Sequence, residues 1–329
     1  MSRAADVSRR VRTGVADDVR EGGRWSLAQR AKNDLLYAVV WSAAATASRL
    51  PPAILRAFGR GLGRIARVVF REAARTADAN LALAFPSLDP PSRRALVART
   101  YRALGEHLGD AVGMLRPGRP AELLPFLPGA RETLDAAIAE GRGVVFASAH
   151  LGPWERVAAT IVAAGLPFTI VAREAYDPRL TRLYDRLRGG RGLETVYRGA
   201  KGAAAALLRV LRRGHVLGIP MDLASRVPSI DVPFLGIPAS TPVGPARLAL
   251  RTGAAVVVGV ASPTPDGVLA LRVERIETGD VSATADGERL VTARINEALS
   301  VAIRALPDQW VWMHPRFARA SSPTSSPTG

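Results

Sequence analysis

His150 ends the apolar run Val144-Val145-Phe146-Ala147-Ser148-Ala149, and Glu155 follows it five residues later. An imidazole held by a carboxylate is a general base that works near neutral pH, worth about 10²–10⁴ in rate when well placed. Two residues five apart on one regular helix stand roughly 140° apart around its axis, so the pair meets only if the helix starts between them. Gly152-Pro153 supplies that break, because proline suits the first turn of a helix, where its missing N–H costs nothing. The spacing therefore predicts a strand, a corner carrying His150, and a helix carrying Glu155 in its first turn, with the carboxylate on one imidazole nitrogen and the other free to act. A histidine at the edge of the core beside an unrelated surface glutamate satisfies the same spacing.

These residues need a scaffold, and the pattern downstream supplies one. Strands are expected at Val144–Ala147, Phe168–Ala172, Val216–Pro220, Ala255–Ala261 and Val268–Ile276, and helices at Trp154–Ala164, Pro178–Arg188, Ala203–Arg213, Pro242–Arg251 and Leu290–Ala305. Upstream, Pro91–Leu115 and Leu123–Glu140 read as helical. Strands alternating with helices predict an α/β fold, a mostly parallel central sheet flanked by helices on both faces. No repeat or clear domain boundary interrupts it.

Composition narrows the chemistry. A chain of 329 residues with 48% hydrophobic residues supports a full α/β core. Cysteine is absent, which excludes disulfides, thiolate metal sites and a cysteine nucleophile. The four histidines, His107, His150, His215 and His314, have no metal-ligand spacing, so no metal is expected. Gly59-Arg60-Gly61-Leu62-Gly63 lies inside a helical pattern rather than after a strand, no Walker A sequence occurs, and no cofactor is expected. The net charge of +16 implies attraction to something acidic: nucleic acid, anionic lipid or a phosphorylated substrate. Basic residues are spread along the chain without a base-reading motif, so nucleic acid is not the expected partner.

Residues 1–30 are polar and turn-rich and read as a flexible leader without the apolar core of a signal peptide. Leu35–Ala47 is apolar but, at about 13 residues, too short to span a bilayer. After Pro51-Pro52, Arg56, Arg60, Arg64 and Arg67 share one helical face and Leu55, Phe58, Leu62, Ile65 and Val69 the other. That is a basic amphipathic helix of the kind that binds an anionic membrane surface; a helix packed on the fold with a solvated basic face has the same pattern. Residues 31–75 are therefore expected to form a membrane-associating helical segment, and residues 320–329, rich in Ser, Pro and Thr, a disordered tail.

Several separated pieces resemble one family. His-x-x-x-x-Glu after a buried strand resembles the signature of the glycerolipid acyltransferase superfamily. Asn80-Leu81-Ala82-Leu83-Ala84-Phe85-Pro86, Glu106, and Asp308-Gln309-Trp310-Val311-Trp312-Met313-His314-Pro315-Arg316-Phe317 resemble elements of the late acyltransferases of lipid A biosynthesis, the lauroyl and myristoyl transferases. The resemblance covers roughly Leu35 to Phe317 in the right order, and makes residues 76–319 an acyltransferase domain. It implies direct transfer of a fatty acyl chain from an acyl thioester on acyl carrier protein to a hydroxyl of a lipid A precursor or related phosphorylated glycolipid, with His150 and Glu155 as a general-base dyad. It also implies a peripheral or monotopic protein at the cytoplasmic face of a bacterial inner membrane.

The resemblance also points to substrate-binding residues. The arginine that such proteins carry beyond the catalytic helix maps onto Arg188, with Arg198 and Arg173 as further matches, and the aspartate after a later strand maps onto Asp222. A guanidinium suits phosphate or carboxylate, and Asp222 would order an arginine or the acceptor sugar. For the developing oxyanion, the amides of Gly152 and Trp154 at the helix start are the candidates. Ser148 lacks the Gly-x-Ser-x-Gly elbow of a nucleophile. Pro153, Ala149 and Leu223 depart from the residues common in the family, which leaves the acceptor open: another saccharolipid, such as a phosphatidylinositol mannoside with acyl-CoA as donor, fits the same chemistry. Asp231-Val232-Pro233-Phe234-Leu235-Gly236 resembles a family region assigned to the acyl groove, and turn chemistry explains it as well. A non-catalytic basic protein binding membrane or nucleic acid would explain the charge but not the His150/Glu155 arrangement.

Overall fold

Apolar runs capped by glycine and proline turns build one six-stranded sheet: β1 Val144–Ser148, β2 Phe168–Ala172, β3 Glu194–Tyr197, β4 Val216–Pro220, β7 Ala255–Pro263 and β8 Leu269–Ile276. The computed structural model describes residues 25–116, 122–175, 177–225 and 227–317, so most of the expected leader and the tail lie outside the described residues. The strand order is β3-β2-β4-β1-β7-β8, parallel throughout except β8, which runs antiparallel to β7. The mostly parallel α/β expectation therefore holds. A separate hairpin, β5 Ser229–Phe234 and β6 Ile237–Pro242, follows β4.

Both faces of the central strands are covered, which is why they read as continuous apolar runs rather than alternating ones. Val145 and Ala147 of β1 enter one core with Leu217, Val256, Val258 and the aromatics Phe234, Trp310 and Trp312. Val144 and Phe146 enter the other with Val157, Ile161 and Phe168. Chain order sets a switch at β1. From β1 the chain goes through α6 (Trp154–Ala163) to β2 on one side, and after β4 it crosses to β7 on the other. The crevice outside the carboxyl ends of such strands is where ligands bind in open α/β sheets.

Helices α1 Leu27–Ala47, α2 Pro52–Val69, α3 Arg71–Ala84 and α4 Pro90–Met114 precede the sheet. The first begins inside the stretch expected as a leader, because Ser26 and Gln29 form a reciprocal capping box: Gln29 N–H donates to Ser26 Oγ and Ser26 N–H to Gln29 Oε1. The helix α1 buries no residue, and it meets α7 (Pro178–Gly189) through Arg179 over Tyr37 and Arg186 over Trp41. Among the described residues no helix is long and apolar enough to cross a membrane.

The amphipathic helix α2 sits differently from the expectation. Gly59 and Gly63 lie against α4, and a Cβ on either would collide with the carbonyls of Gly105 and Tyr101. Arg56 bonds Asp110 at 2.6 Å and also reaches Glu122, while Arg60 meets Glu106 at 3.2 Å. Its glycine face and two of its four arginines are thus turned inward, towards acidic groups. What faces out is a broad apolar surface flanked by the exposed Arg64 and Arg67: Phe58 is 63% exposed, Ile65 60% and Val69 64%, alongside Leu35, Leu36 and Val39 of α1. Leu55, expected on that apolar face, is buried.

Two further differences have local causes. The helix expected over Leu123–Glu140 shrinks to α5, Ala130–Ala139, because Pro125, Pro128 and left-handed Gly129 stop it. The residues before it lie beside β8 instead, with Leu127 N–H donating to Leu271 O and Leu271 N–H to Pro125 O. The β5–β6 hairpin turns on Leu235 and Gly236, both at positive φ (55° and 84°), the pairing a tight two-residue turn requires. Leu235 is an unusual residue there; it is buried, and its N–H donates to Ser300 Oγ of α10 (Ala285–Ala305).

Candidate active site

Register explains how the central pair forms. Ser148 of β1 lies opposite Pro220 of β4, so the residues two further along each strand, His150 and Asp222, leave the sheet side by side. Asp222 Oδ1 lies 3.0 Å from His150 Nδ1, and Asp222 Oδ2 accepts the His150 backbone N–H at 2.9 Å and the Trp310 indole N–H at 2.8 Å. Asp222 is fully buried, whereas the His150 side chain keeps about a third of its surface (31%). Burial alone would raise the carboxyl's pKa, but the His150 charge, its hydrogen bond and the Trp310 donor outweigh it and hold Asp222 below its ordinary value. For His150 burial pulls downward, and the Asp222 charge and hydrogen bond carry the imidazole above its ordinary value. Beside an anionic acceptor Nδ1 carries the proton, which leaves Nε2 as the basic nitrogen.

Glu155, the residue expected on the imidazole, makes a different contact. Its Oε1 accepts from Arg188 Nη2 at 2.7 Å and its Oε2 from Nε at 3.4 Å. The side chains of this pair are 12% and 15% exposed. Burial lowers the Arg188 pKa, but the hydrogen bond and charge of Glu155 leave it above its usual value. The correction is geometric: α6 begins at Trp154 as expected, but Glu155 points along it towards α7, and the carboxylate at the imidazole comes from the neighbouring parallel strand. Glu155 acts on His150 only through space, with an effect smaller than that of Asp222. A small pocket beside the pair is lined by Met114, Glu155, Ala159, Arg188, Arg191 and Leu193.

The other candidates are placed as follows. Arg173 and Arg198 leave the carboxyl ends of β2 and β3, on the same edge as the dyad but beyond β4. Arg198 Nη1 donates to Ser225 Oγ, three residues past Asp222, at 2.9 Å, and Arg173 is exposed. The amides proposed for an oxyanion are occupied: Gly152 N–H donates to Gln309 O and Trp154 N–H to Gly152 O, both at 3.0 Å. The reasons are a backbone bridge between Leu151 and Trp310 and the tight turn at Gly152, whose φ is 62°. The Trp154 ring stands edge-on to the imidazole, with centroids 5.3 Å apart. Ser148 Oγ donates to Gly259 O at 2.8 Å, the posture of a strand side chain rather than a nucleophile.

Sequence reasoning missed Trp310 and the imidazole's true partner. Trp310 belongs to the terminal segment 307–317, which runs beside residues 150–152 and contributes the donor to Asp222. The signal was present in the Gln309-Trp310-x-Trp312 element, but nothing local says which carboxylate the indole meets.

An α/β sheet carries a histidine–aspartate pair at its switch point; comparison with known proteins then supplies the family. The profile of the bacterial lipid A biosynthesis acyltransferases matches residues 25–319, and the chain belongs to that family. It is similar to the phosphatidylinositol mannoside acyltransferase of Mycobacterium tuberculosis (strain ATCC 25618 / H37Rv), 32% identical over 139 residues, 42% of this chain and 44% of that protein. It is similar to the lipid A biosynthesis lauroyltransferase of Escherichia coli (strain K12), 25% identical over 279 residues, 82% of this chain and 87% of that protein. The phosphatidylinositol mannoside acyltransferase of Mycolicibacterium smegmatis (strain ATCC 700084 / mc(2)155) is 26% identical over 186 residues, 55% of this chain and 59% of that protein. The matched stretch thus spans less than half the length of the Mycobacterium tuberculosis relative.

Proposed function

We propose that this chain is a membrane-surface O-acyltransferase that moves a fatty acyl chain from a thioester to a hydroxyl of a glycolipid. The observation that carries the reading is the imidazole with Nδ1 on the buried Asp222 and Nε2 left over, at the carboxyl edge of the sheet. Nε2 takes the proton of the acceptor hydroxyl as its oxygen attacks the thioester carbonyl. The tetrahedral intermediate then collapses, the C–S bond breaks, and the departing thiolate takes the proton back from the imidazolium. Asp222 stays ionised throughout and stabilises the transient cation. In this reading Glu155 anchors Arg188 rather than the base, and Arg188, Arg198 and Arg173 meet anionic groups of the substrates.

The outward apolar side of α1 and α2 supports membrane contact better than the basic face does: Phe58, Ile65 and Val69 would enter the interface while exposed Arg64 and Arg67 meet headgroups. The protein would then be peripheral, at the cytoplasmic face where acyl thioesters are available. For the acceptor the reading is a lipid A precursor with acyl carrier protein as donor, supported by a family match that runs almost end to end. A phosphatidylinositol mannoside with acyl-CoA is the second reading, supported by the higher identity to the mycobacterial relative over its shorter stretch. Thiol release by the purified protein from lauroyl-acyl carrier protein and from palmitoyl-CoA separates the two, when each is offered lipid A precursors and mannosylated phosphatidylinositol. Release that requires one acceptor and vanishes in His150→Ala supports the reading; release equal with and without His150 overturns it.

A further inference from the structure

Asp222 is a fully buried carboxylate whose two oxygens are shared among three N–H groups, and two of those belong to His150, the residue it orients. Among the described residues the Trp310 indole is the single donor to Asp222 from outside that pair. A carboxylate held only by His150 would follow its partner; a third anchor fixes Oδ2 and thereby aims Oδ1 at Nδ1. We propose that Trp310 is a positioning residue for the dyad and that segment 307–317 is the strap that holds it, an inference that rests on the acyl-transfer reading of His150.

The strap is fastened where the function has so far used nothing. Beside the dyad its backbone pairs with the dyad's own segment, through the Leu151–Trp310 bridge and the Gly152 N–H to Gln309 O bond. Further on, Asn80 of α3, buried and more than 230 residues away in sequence, donates its amide to Trp312 O at 2.8 Å and to His314 O at 2.7 Å. The Trp310 and Trp312 rings meet edge to face at 4.6 Å, Phe85 closes on Trp312 at 5.8 Å, and Phe234 of the hairpin packs on Trp310 at 5.5 Å. Arg316 ends the strap as a buried cation with no carboxylate in ion-pair reach among the described residues. Its guanidinium donates to Ser240 O and Thr241 Oγ1 and lies 4.6 Å from the Phe234 ring centre. Burial lowers its pKa to about 10, so it remains a cation at neutral pH; its charge and that of Asp222 favour one another. Asn80 and Arg316 therefore clamp the two ends of an aromatic stack whose business end is one N–H on Asp222.

Without the indole donor Oδ2 is free to turn, Oδ1 loses its aim at Nδ1, and the imidazolium loses part of the stabilisation that lifts it, so the His150 pKa falls, by about half a pH unit or more. Trp310→Phe keeps an aromatic ring in the stack and deletes the donor; β-(3-benzothienyl)alanine at position 310 keeps the bicyclic shape and deletes only the N–H, which covers failure of the phenylalanine variant to fold. The experiment titrates the imidazoles of histidine-labelled protein by NMR, with His150 assigned through His150→Gln. A downward shift of His150 in the donor-free protein, with His215 at the far end of β4 unmoved, is the expected result. An unmoved or raised His150 pKa in folded protein, the sign of a carboxylate that His150 alone holds in place, overturns the positioning role. The titration needs no turnover, so failure of the acyl-transfer reading, seen as thiol release indifferent to His150, is a separate outcome. If turnover is present, the acid limb of the kcat/KM profile moves down with the titration.

Discussion

Replacing Asp222 with asparagine tests the pairing at its most sensitive point. The position of Oδ2 faces two N–H donors, the His150 amide at 2.9 Å and the Trp310 indole at 2.8 Å, so the asparagine oxygen must take it. Its NH2 then points at His150 Nδ1, which must become an acceptor, and the ring proton moves to Nε2, the nitrogen the mechanism needs free. An amide also cannot stabilise the imidazolium. A base presented in the wrong tautomer costs about 10²–10⁴ in turnover, or about 3–5 kcal/mol of barrier. Because the Asp222 charge and hydrogen bond are what lift the His150 pKa against burial, the acid limb of the profile moves to lower pH while the plateau falls. The assay is thiol release from an acyl thioester between pH 5 and 9, with circular dichroism to establish that the variant is folded. Glu155→Gln is the control: it moves the limb down by less. A Asp222→Asn plateau within tenfold of the unmodified protein, or a larger loss and limb shift in Glu155→Gln, would refute the assignment and return Glu155 to the imidazole.

Other expectations follow from single contacts. Arg188→Met leaves the largely buried Glu155 carboxylate without its partner and is expected to destabilise the fold by roughly 1–3 kcal/mol in urea titrations, with part of the loss recovered in the double variant with Glu155→Gln. Phe58→Asp with Ile65→Asp removes two outward apolar side chains without touching the core. Binding to anionic vesicles in flotation assays is expected to weaken by about two orders of magnitude at unchanged melting temperature; unchanged binding would move the membrane contact elsewhere. Gly105→Val drives a side chain into the Gly59 carbonyl and separates α2 from α4, which is expected to lower stability by about 2 kcal/mol or more in thermal melts.

The fold was legible wherever burial wrote itself into local pattern. The strands at Phe168–Ala172 and Val216–Pro220 have the expected limits, because a strand covered on both faces is a continuous apolar run bounded by turns. The edge strand β3, Glu-Thr-Val-Tyr, lacks such a run and went unforeseen; at the β5–β6 hairpin Pro233 and Gly236 made a turn legible but not the strand pairing, because the first turn residue, Leu235, carries no turn signal. Of the site, His150 and the helix start at Trp154 were readable from spacing. The identity of the carboxylate on the imidazole was not, since it depends on β4 lying next to β1 in register, a long-range fact that no local spacing contains. The orientation of α2 failed for a related reason. Its arginine face looked solvated until Asp110, Glu106 and Glu122, some 45–65 residues away in the chain, were brought against it.

The most direct test of the central claim is untargeted lipid mass spectrometry on a Gram-negative host and a mycobacterial host, each expressing this chain or its His150→Ala form. The expected result is a glycolipid heavier by one fatty acyl chain in one of the hosts, present only with the intact histidine, and the host in which it appears selects between the lipid A precursor and the mannosylated acceptor. The same new species made equally by His150→Ala would contradict His150 as the base, and lipid profiles unchanged in both hosts by a folded, expressed protein would contradict the acyl-transfer reading itself.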